Sequence, residues 1–260
     1  MIKNPLKEKL ARGAAVGTIV NFYAPSLVEI IGYCGLDFIV IDDEHGAFSY
    51  PQIEELIRIA ELTGVTPLVR ISYDKAAIQK ALDRGARGIH VPVVNTRADA
   101  EAAVRKAKFP PLGTRGAAYS VRAAHFGEYK GKAYLDSADD NTLIIVHIET
   151  PEGVAHFDEI VSVPGVDVAF IGPTDLSVSL GYKAEGPNHP EVKKVIGELF
   201  RKGLDKGVSM GFFAGGAEEI AQCAGQGARY IATMSSGLIA SKFKEIAKAG
   251  QSLQSYIGRR

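Results

Sequence analysis

Short apolar runs and amphipathic stretches alternate along most of the chain. The runs at 15–20, 37–42, 66–70, 88–94, 143–149, 166–171, 209–213 and 229–233 are rich in Val, Ile and Phe. Their polar residues gather at the ends, which suits strands buried on both faces of a parallel sheet. Between them lie stretches with helical spacing. One is expected from Pro51 to Thr63, where Ile53, Leu56, Ile57 and Ala60 share a face. Others are expected near 25–35, 75–84, 97–108, 153–161, 190–206, 217–225 and 236–249. Pro or Ser opens several of these and Gly closes several. Residues 5–12 suit a short helix covering one end of a core.

Eight strand–helix pairs in steady alternation imply parallel strands with right-handed crossovers. In about 250 residues that pattern is the (β/α)8 TIM barrel, an α/β fold built as a single domain, here over 1–260. An open doubly wound sheet is disfavoured by the even count and by the lack of Gly-x-Gly-x-x-Gly after the first strand. One long insertion interrupts the alternation at about 109–141. It carries Pro110-Pro111, four glycines, Arg115, Tyr119, Arg122, His125 and Tyr129. A loop of that length is expected to be functional or partly structured. Residues 250–260 read as a polar tail.

Composition narrows the function classes. Apolar residues make up 46% and charged residues 23% of the chain, as in an ordinary globular protein. Thirty basic and thirty acidic side chains cancel, which leaves no electrostatic footprint for nucleic acid or a membrane surface. No apolar run approaches the ~20 residues of a membrane span. The first ten residues lack the apolar core of a signal peptide, so a cytoplasmic location is expected. Cys34 and Cys223 are expected to be buried free thiols, since no Cys-x-x-Cys pattern exists.

In a (β/α)8 barrel, catalytic groups gather at the C-terminal ends of the strands. This chain places Asp42-Asp43-Glu44-His45 after the second strand, Arg70 at the end of the third, His147 and Glu149 on the fifth, and Asp175 after the sixth. An unpaired buried carboxylate is costly. Glu149 and Asp175, on consecutive βα units, therefore suggest a shared divalent cation; the alternative is that each caps the helix that follows it. Oxygen ligands without Cys or paired His favour Mg2+ or Mn2+ over zinc, with positions left for a chelating 2-oxo acid. His147 shares the inward face with Glu149. It suits either a hydrogen bond to cation-bound water or a core contact. Arg70 suits an oxyanion, or an ion pair with Glu44 or Glu149. His45 with Asp42 forms a candidate proton-transfer dyad; alone, His45 would read as a loop hydrogen-bonder. No lysine ends a strand as a Schiff-base enzyme needs, and Lys75 falls in a helix start.

Together Gly17-Thr18, Phe38-Ile-Val-Ile-Asp42-Asp-Glu-His45, Pro67-Leu-Val-Arg70, Val91-Pro92, Gly113-Thr-Arg115-Gly116, Ile148-Glu149-Thr-Pro151 and Phe170-Ile-Gly-Pro-Thr-Asp175-Leu-Ser resemble the HpcH/HpaI family over roughly 14–248. These are class II, metal-dependent pyruvate aldolases that cleave 4-hydroxy-2-oxo acids to pyruvate and an aldehyde through a metal-stabilised enolate. The resemblance implies that Glu149 and Asp175 hold Mg2+ or Mn2+, with Co2+ a further candidate. It implies that Arg70 binds the keto oxygen and that His45 is the acid/base oriented by Asp42. Asp83 matches an acidic residue that reaches a neighbouring subunit's site. Backbone groups of Gly172, Pro173 and Thr174 match the substrate carboxylate site, and the assembly implied is a homo-hexamer, a trimer of dimers. His147 stands where many members carry Gln, and the segment after Arg115-Gly116 departs from familiar versions. The alternatives are an oxaloacetate decarboxylase and a non-catalytic 2-oxo acid binding barrel.

Overall fold

The computed structural model describes residues 2–257. Strands β1 (Ala15–Val20), β2 (Phe38–Asp42), β3 (Thr66–Arg70), β4 (Gly88–Val91), β5 (Leu143–Ile148), β6 (Val168–Ile171), β7 (Ser209–Phe213) and β8 (Ala228–Met234) pair in parallel with their sequence neighbours. β8 pairs back onto β1, so the sheet is a closed barrel. The helices are α1 (Pro5–Leu10), α2 (Pro25–Tyr33), α3 (Tyr50–Thr63), α4 (Ala77–Asp83), α5 (Arg97–Ala107), α6 (Gly131–Asn141), α7 (Pro151–Ala155), α8 (Phe157–Val161), α9 (Pro173–Ser179), α10 (Pro190–Asp205), α11 (Ala217–Gly225) and α12 (Ser235–Ile257). The expected (β/α)8 TIM barrel is the fold.

Strand alternation sorts the side chains into two apolar layers. Ile39, Ile41, Val69, Ile89, Ile144 and Val146 face outward and pack in one core with α3, α4, α5, α8 and α10. Phe38, Val40, Leu68, Ile145, Phe170 and Tyr230 face inward and fill the barrel, joined from below by Leu6 and Leu10 of α1. Burying each leucine contributes about 1.5–3 kcal/mol. Asn4 fixes this plug: its amide donates to the carbonyls of Arg87 and Asn141, and its oxygen caps α1 at Lys7. Gly17 is required opposite Phe38, because a Cβ there would lie 2.3 Å from the Phe38 carbonyl. Phe38 stacks on Tyr230 at 4.2 Å between ring centres. The lower barrel is thus apolar and closed, and the inward polar positions concentrate towards the C-terminal end.

Several boundaries differ from those the sequence suggested. β4 stops at Val91 because Pro92 has no N–H to donate and Val93 turns to φ 52°. The helix expected over 153–161 starts at Pro151 and breaks at His156, whose ring contacts the Asn95 carbonyl. The turn at 172–175 opens α9. The insertion is more ordered than a long loop: it holds a 3-10 turn, Arg122–Gly127, and α6. Phe109, Ala124, Tyr134 and Ala138 give it a small core of its own. The expected tail is helical as far as Ile257, where α12 ends, and 258–260 lie outside the described residues. Cys34, expected to be buried, is exposed beyond the end of α2, whereas Cys223 is buried. Among the described residues no helix is long and apolar enough to cross a membrane.

Candidate active site

The C-terminal rim begins with a cross-strand pair. Asp42 and Arg70 end β2 and β3 in register. The guanidinium donates from Nε to Asp42 Oδ1 at 2.8 Å and from Nη2 to Oδ2 at 2.7 Å, a bidentate bond. Its third nitrogen, Nη1, lies 3.3 Å from Glu44 Oε2. Burial works against the Arg70 charge, but Asp42, then Glu44 and Glu149, outweigh it and raise its pKa. The cluster is therefore a fixed cation held among carboxylates at the barrel mouth.

This arrangement corrects one expectation. Asp42 gives both carboxylate oxygens to Arg70, and Oδ1 also accepts the backbone N–H groups of Glu44 and His45 at 3.3 Å. Among the described residues it does not hold the His45 ring. The His45 side chain is 65% exposed, with Glu44 Oε2 3.8 Å from Nε2. Asp42 therefore positions the turn that carries His45, while the imidazole stands exposed at the mouth beside Glu44. Of the alternatives for Arg70, the ion pair with Glu44 is present, joined by Asp42.

Glu149 follows β5 and is buried. Its Oε1 accepts the Val93 N–H at 2.7 Å, and its Oε2 lies 3.3 Å from His147 Nδ1. Burial alone would raise its pKa; the His147 contact, the Val93 N–H and Arg70 more than offset that and hold it below the ordinary value. Val93 aims its N–H only by adopting the left-handed region, a strain of about 1–3 kcal/mol for a β-branched residue. Gly172 keeps the opposite side open, since a Cβ there would sit 2.6 Å from Oε2. His147 continues inward to His90, and His90 to Tyr230.

Asp175 lies exposed in the first turn of α9, which Pro173 opens behind Gly172 and Thr174 continues. Tyr73 stands within the field of these carboxylates. Its hydroxyl donates to Glu44 Oε1 at 2.9 Å, and its pKa is pushed up to about 12 by burial, Glu44, Glu149 and Asp175. One rim therefore holds Asp42, Glu44, Arg70, His147, Glu149 and Asp175. Asp83 is not brought there. It ends α4 at the opposite end of the barrel and pairs with Arg115 at 2.8 Å. His90, Tyr230, Val93 and Tyr73 were not singled out in the sequence. Strand alternation could have found His90, which shares the inward face of β4 with Gly88.

Among the described residues no group of three or more His, Cys, Asp or Glu side chains is placed to hold a metal. A two-carboxylate site nevertheless fits a hard cation that keeps several water or substrate oxygens. Glu149 is anionic and oriented, and Gly172 leaves a cradle beside it.

Buried histidine also gives the rim a pH signature. Burial, then His147 and Arg70, push the His90 pKa well below the usual 6.5. The unfolded chain therefore takes up a proton below about pH 6.5 that the folded chain refuses. Stability is expected to fall by about 1.4 kcal/mol per pH unit from this group, until the folded-state pKa is reached. Urea unfolding between pH 7 and pH 5.5 would measure it, with His90→Gln expected to flatten the slope.

Comparison with known proteins extends the picture. The model of the HpcH/HpaI aldolase/citrate lyase family matches residues 17–241. The chain is 36% identical over 232 residues to the hydroxypyruvate/pyruvate aldolase of Sagittula stellata, covering 88% of this chain and 90% of that one. It is 33% identical over 240 residues to the 2-dehydro-3,6-dideoxy-6-sulfogluconate aldolase of Pseudomonas putida, covering 92% and 93%. A crystal structure of an HpcH/HpaI aldolase/citrate lyase family protein from Burkholderia cenocepacia superimposes with TM-score 0.89 and 31% identity, covering 97% of this chain and all of that one. Barrel, rim and relatives together define a lyase of the aldolase class. The chain belongs to the HpcH/HpaI aldolase/citrate lyase family.

Proposed function

We propose that the protein is a class II aldolase that cleaves a 4-hydroxy-2-oxo acid to pyruvate and an aldehyde. The observation that carries this reading is the buried anionic Glu149 at the end of β5, held by Val93 and His147 on the rim that carries Arg70. Glu149 and Asp175 would hold a divalent cation, Mg2+ or Mn2+ with Co2+ a further candidate. Bound there, the cation would supply a Lewis acid to the reacting 2-oxo acid.

This chain's own groups do the rest. Arg70, locked by Asp42, presents fixed positive charge to the keto oxygen as it gains negative charge during C3–C4 cleavage. Preorganisation matters here, because the guanidinium need not reorient as charge develops. His45, exposed at the mouth, takes the proton of the 4-hydroxyl and returns one to the pyruvate methyl carbon. Backbone groups of Gly172, Pro173 and Thr174 receive the substrate carboxylate at the start of α9. His147 acts through Glu149.

The assembly proposed is a homo-hexamer of single-domain barrels, in which Asp83 of one subunit reaches its neighbour's site. Its position away from its own rim supports this, as do Leu238, Phe243 and Ile246, which α12 leaves exposed. The test is pyruvate release from a panel of 4-hydroxy-2-oxo acids by chelated protein, with Mg2+ or Mn2+ added back. Restored release from at least one supports the reading; release from none of them but from oxaloacetate, assayed alongside, would replace it with a decarboxylase.

A further inference from the structure

Four inward-facing groups form a hydrogen-bonded line from the rim down the barrel. Glu149 Oε2 lies 3.3 Å from His147 Nδ1, His147 Nε2 lies 2.9 Å from His90 Nδ1, and His90 Nε2 lies 2.7 Å from the Tyr230 hydroxyl. The line joins β5, β4 and β8 and ends blind. Tyr230 has no exposed surface and stacks on Phe38, so the line leads to no solvent below the rim.

The direction of its protons follows from its ends. Among the described residues the Tyr230 hydroxyl has His90 Nε2 as its one hydrogen-bond partner. If that hydroxyl accepted from His90, its own hydrogen would be buried without an acceptor, which proteins avoid. Tyr230 therefore donates, and His90 Nε2 carries the lone pair. His90 is fully buried, and its pKa is driven well down, so it holds a single proton, on Nδ1. That proton goes to His147 Nε2. His147 Nδ1 is then the N–H that faces Glu149, whose carboxylate can only accept. Every donor in the line meets an acceptor, with Glu149 as its one anion.

We infer that His90 and Tyr230 are positioning residues for Glu149: they fix His147 as the Nδ1–H tautomer, and His147 then holds the carboxylate in its rim orientation. The inference rests on the reading of Glu149 as a cation ligand. A histidine side chain in water prefers the Nε2–H form, so the line imposes the less common tautomer on two rings. That leaves a spectroscopic mark that simple packing would not. Outer groups of this kind tune the ligand they orient without touching the cation.

The experiment uses the full chain labelled with 15N-histidine, cation-free, with the rings assigned through variants. His90 and His147 are expected as neutral Nδ1–H tautomers. Tyr230→Phe removes the hydroxyl that His90 Nε2 accepts from, so the Nε2–H form of His90 should appear. The Kd for Mn2+ should rise about 10-fold, the low end of the 10–100-fold range for outer-shell partners. His90→Gln keeps an N–H towards His147 and a carbonyl towards Tyr230. It should preserve the His147 tautomer and near wild-type Mn2+ affinity, whereas His90→Leu should lose both. That pair decides the matter if Tyr230→Phe fails to fold. His147 as Nε2–H or imidazolium in the wild type would overturn the inference. So would a folded Tyr230→Phe protein with unchanged tautomers and unchanged Mn2+ affinity. If the tautomers are as expected but Glu149→Gln binds Mn2+ as well as wild type, the cation reading fails and the orientation of Glu149 stands.

Discussion

Glu149→Gln is expected to lose divalent-cation binding and to lower turnover by at least about 10²–10³-fold, the scale of removing one preorganised electrostatic partner. The cause lies in the contacts of the carboxylate. Both oxygens face donors, Val93 N–H on one side and the His147 ring on the other. An amide has one acceptor atom and one donor group, so its NH2 must confront one of those donors. An unmatched buried pair costs about 1–3 kcal/mol, so the variant should fold with reduced stability. Asp175→Asn should match it in function but not in stability. Asp175 is exposed in the first turn of α9, where losing a negative charge costs about 0.3–1 kcal/mol. Titration calorimetry with Mn2+ and urea unfolding would measure both effects. Full Mn2+ affinity in either variant would remove that residue from the ligand set.

The second large effect is expected at Asp42. Asp42→Ala leaves the buried Arg70 with Glu44 as its remaining close partner. Breaking a buried pair from one side costs about 3–5 kcal/mol, and the surviving Glu44 contact places this variant near the lower figure. Replacing both members by apolar residues of similar size, as in Asp42→Leu with Arg70→Met, should recover most of that stability because no buried charge is stranded. Activity should not recover, since the guanidinium at the keto oxygen is gone. A double variant that regained both would make the pair structural only.

The parts of this molecule readable in sequence were those that follow strand periodicity. Asp42, Arg70, His147 and Glu149 end apolar runs, and a barrel puts such ends on one rim. What escaped depended on distance in the chain. His90 lies in an ordinary Gly-Ile-His-Val strand, and its partners are 57 and 140 residues away. The choice Asp42 makes between two candidate partners was equally hidden. His45 is near in sequence, but β2–β3 register sets Arg70 directly opposite, and the tight turn offers Asp42 the backbone N–H groups of Glu44 and His45 instead of the imidazole. Helix α6 was hidden behind Gly131, whose φ of 70° marks a turn rather than a helix start. Its buried Tyr134 and Ala138 make a contact face too small for periodicity to reveal.

The central claim is that this rim removes and returns a proton next to a 2-oxo group, and exchange of pyruvate methyl protons with deuterated water tests it most directly. No aldehyde has to be guessed, and NMR follows the methyl signal. The wild-type protein should exchange the methyl protons when Mg2+ or Mn2+ is present and stop when it is chelated. His45→Ala should slow exchange about 10²–10⁴-fold, the usual worth of a general base, while pyruvate still binds. Pyruvate that binds to the cation-loaded wild-type protein without any exchange would contradict the account and leave a 2-oxo acid binding barrel in its place.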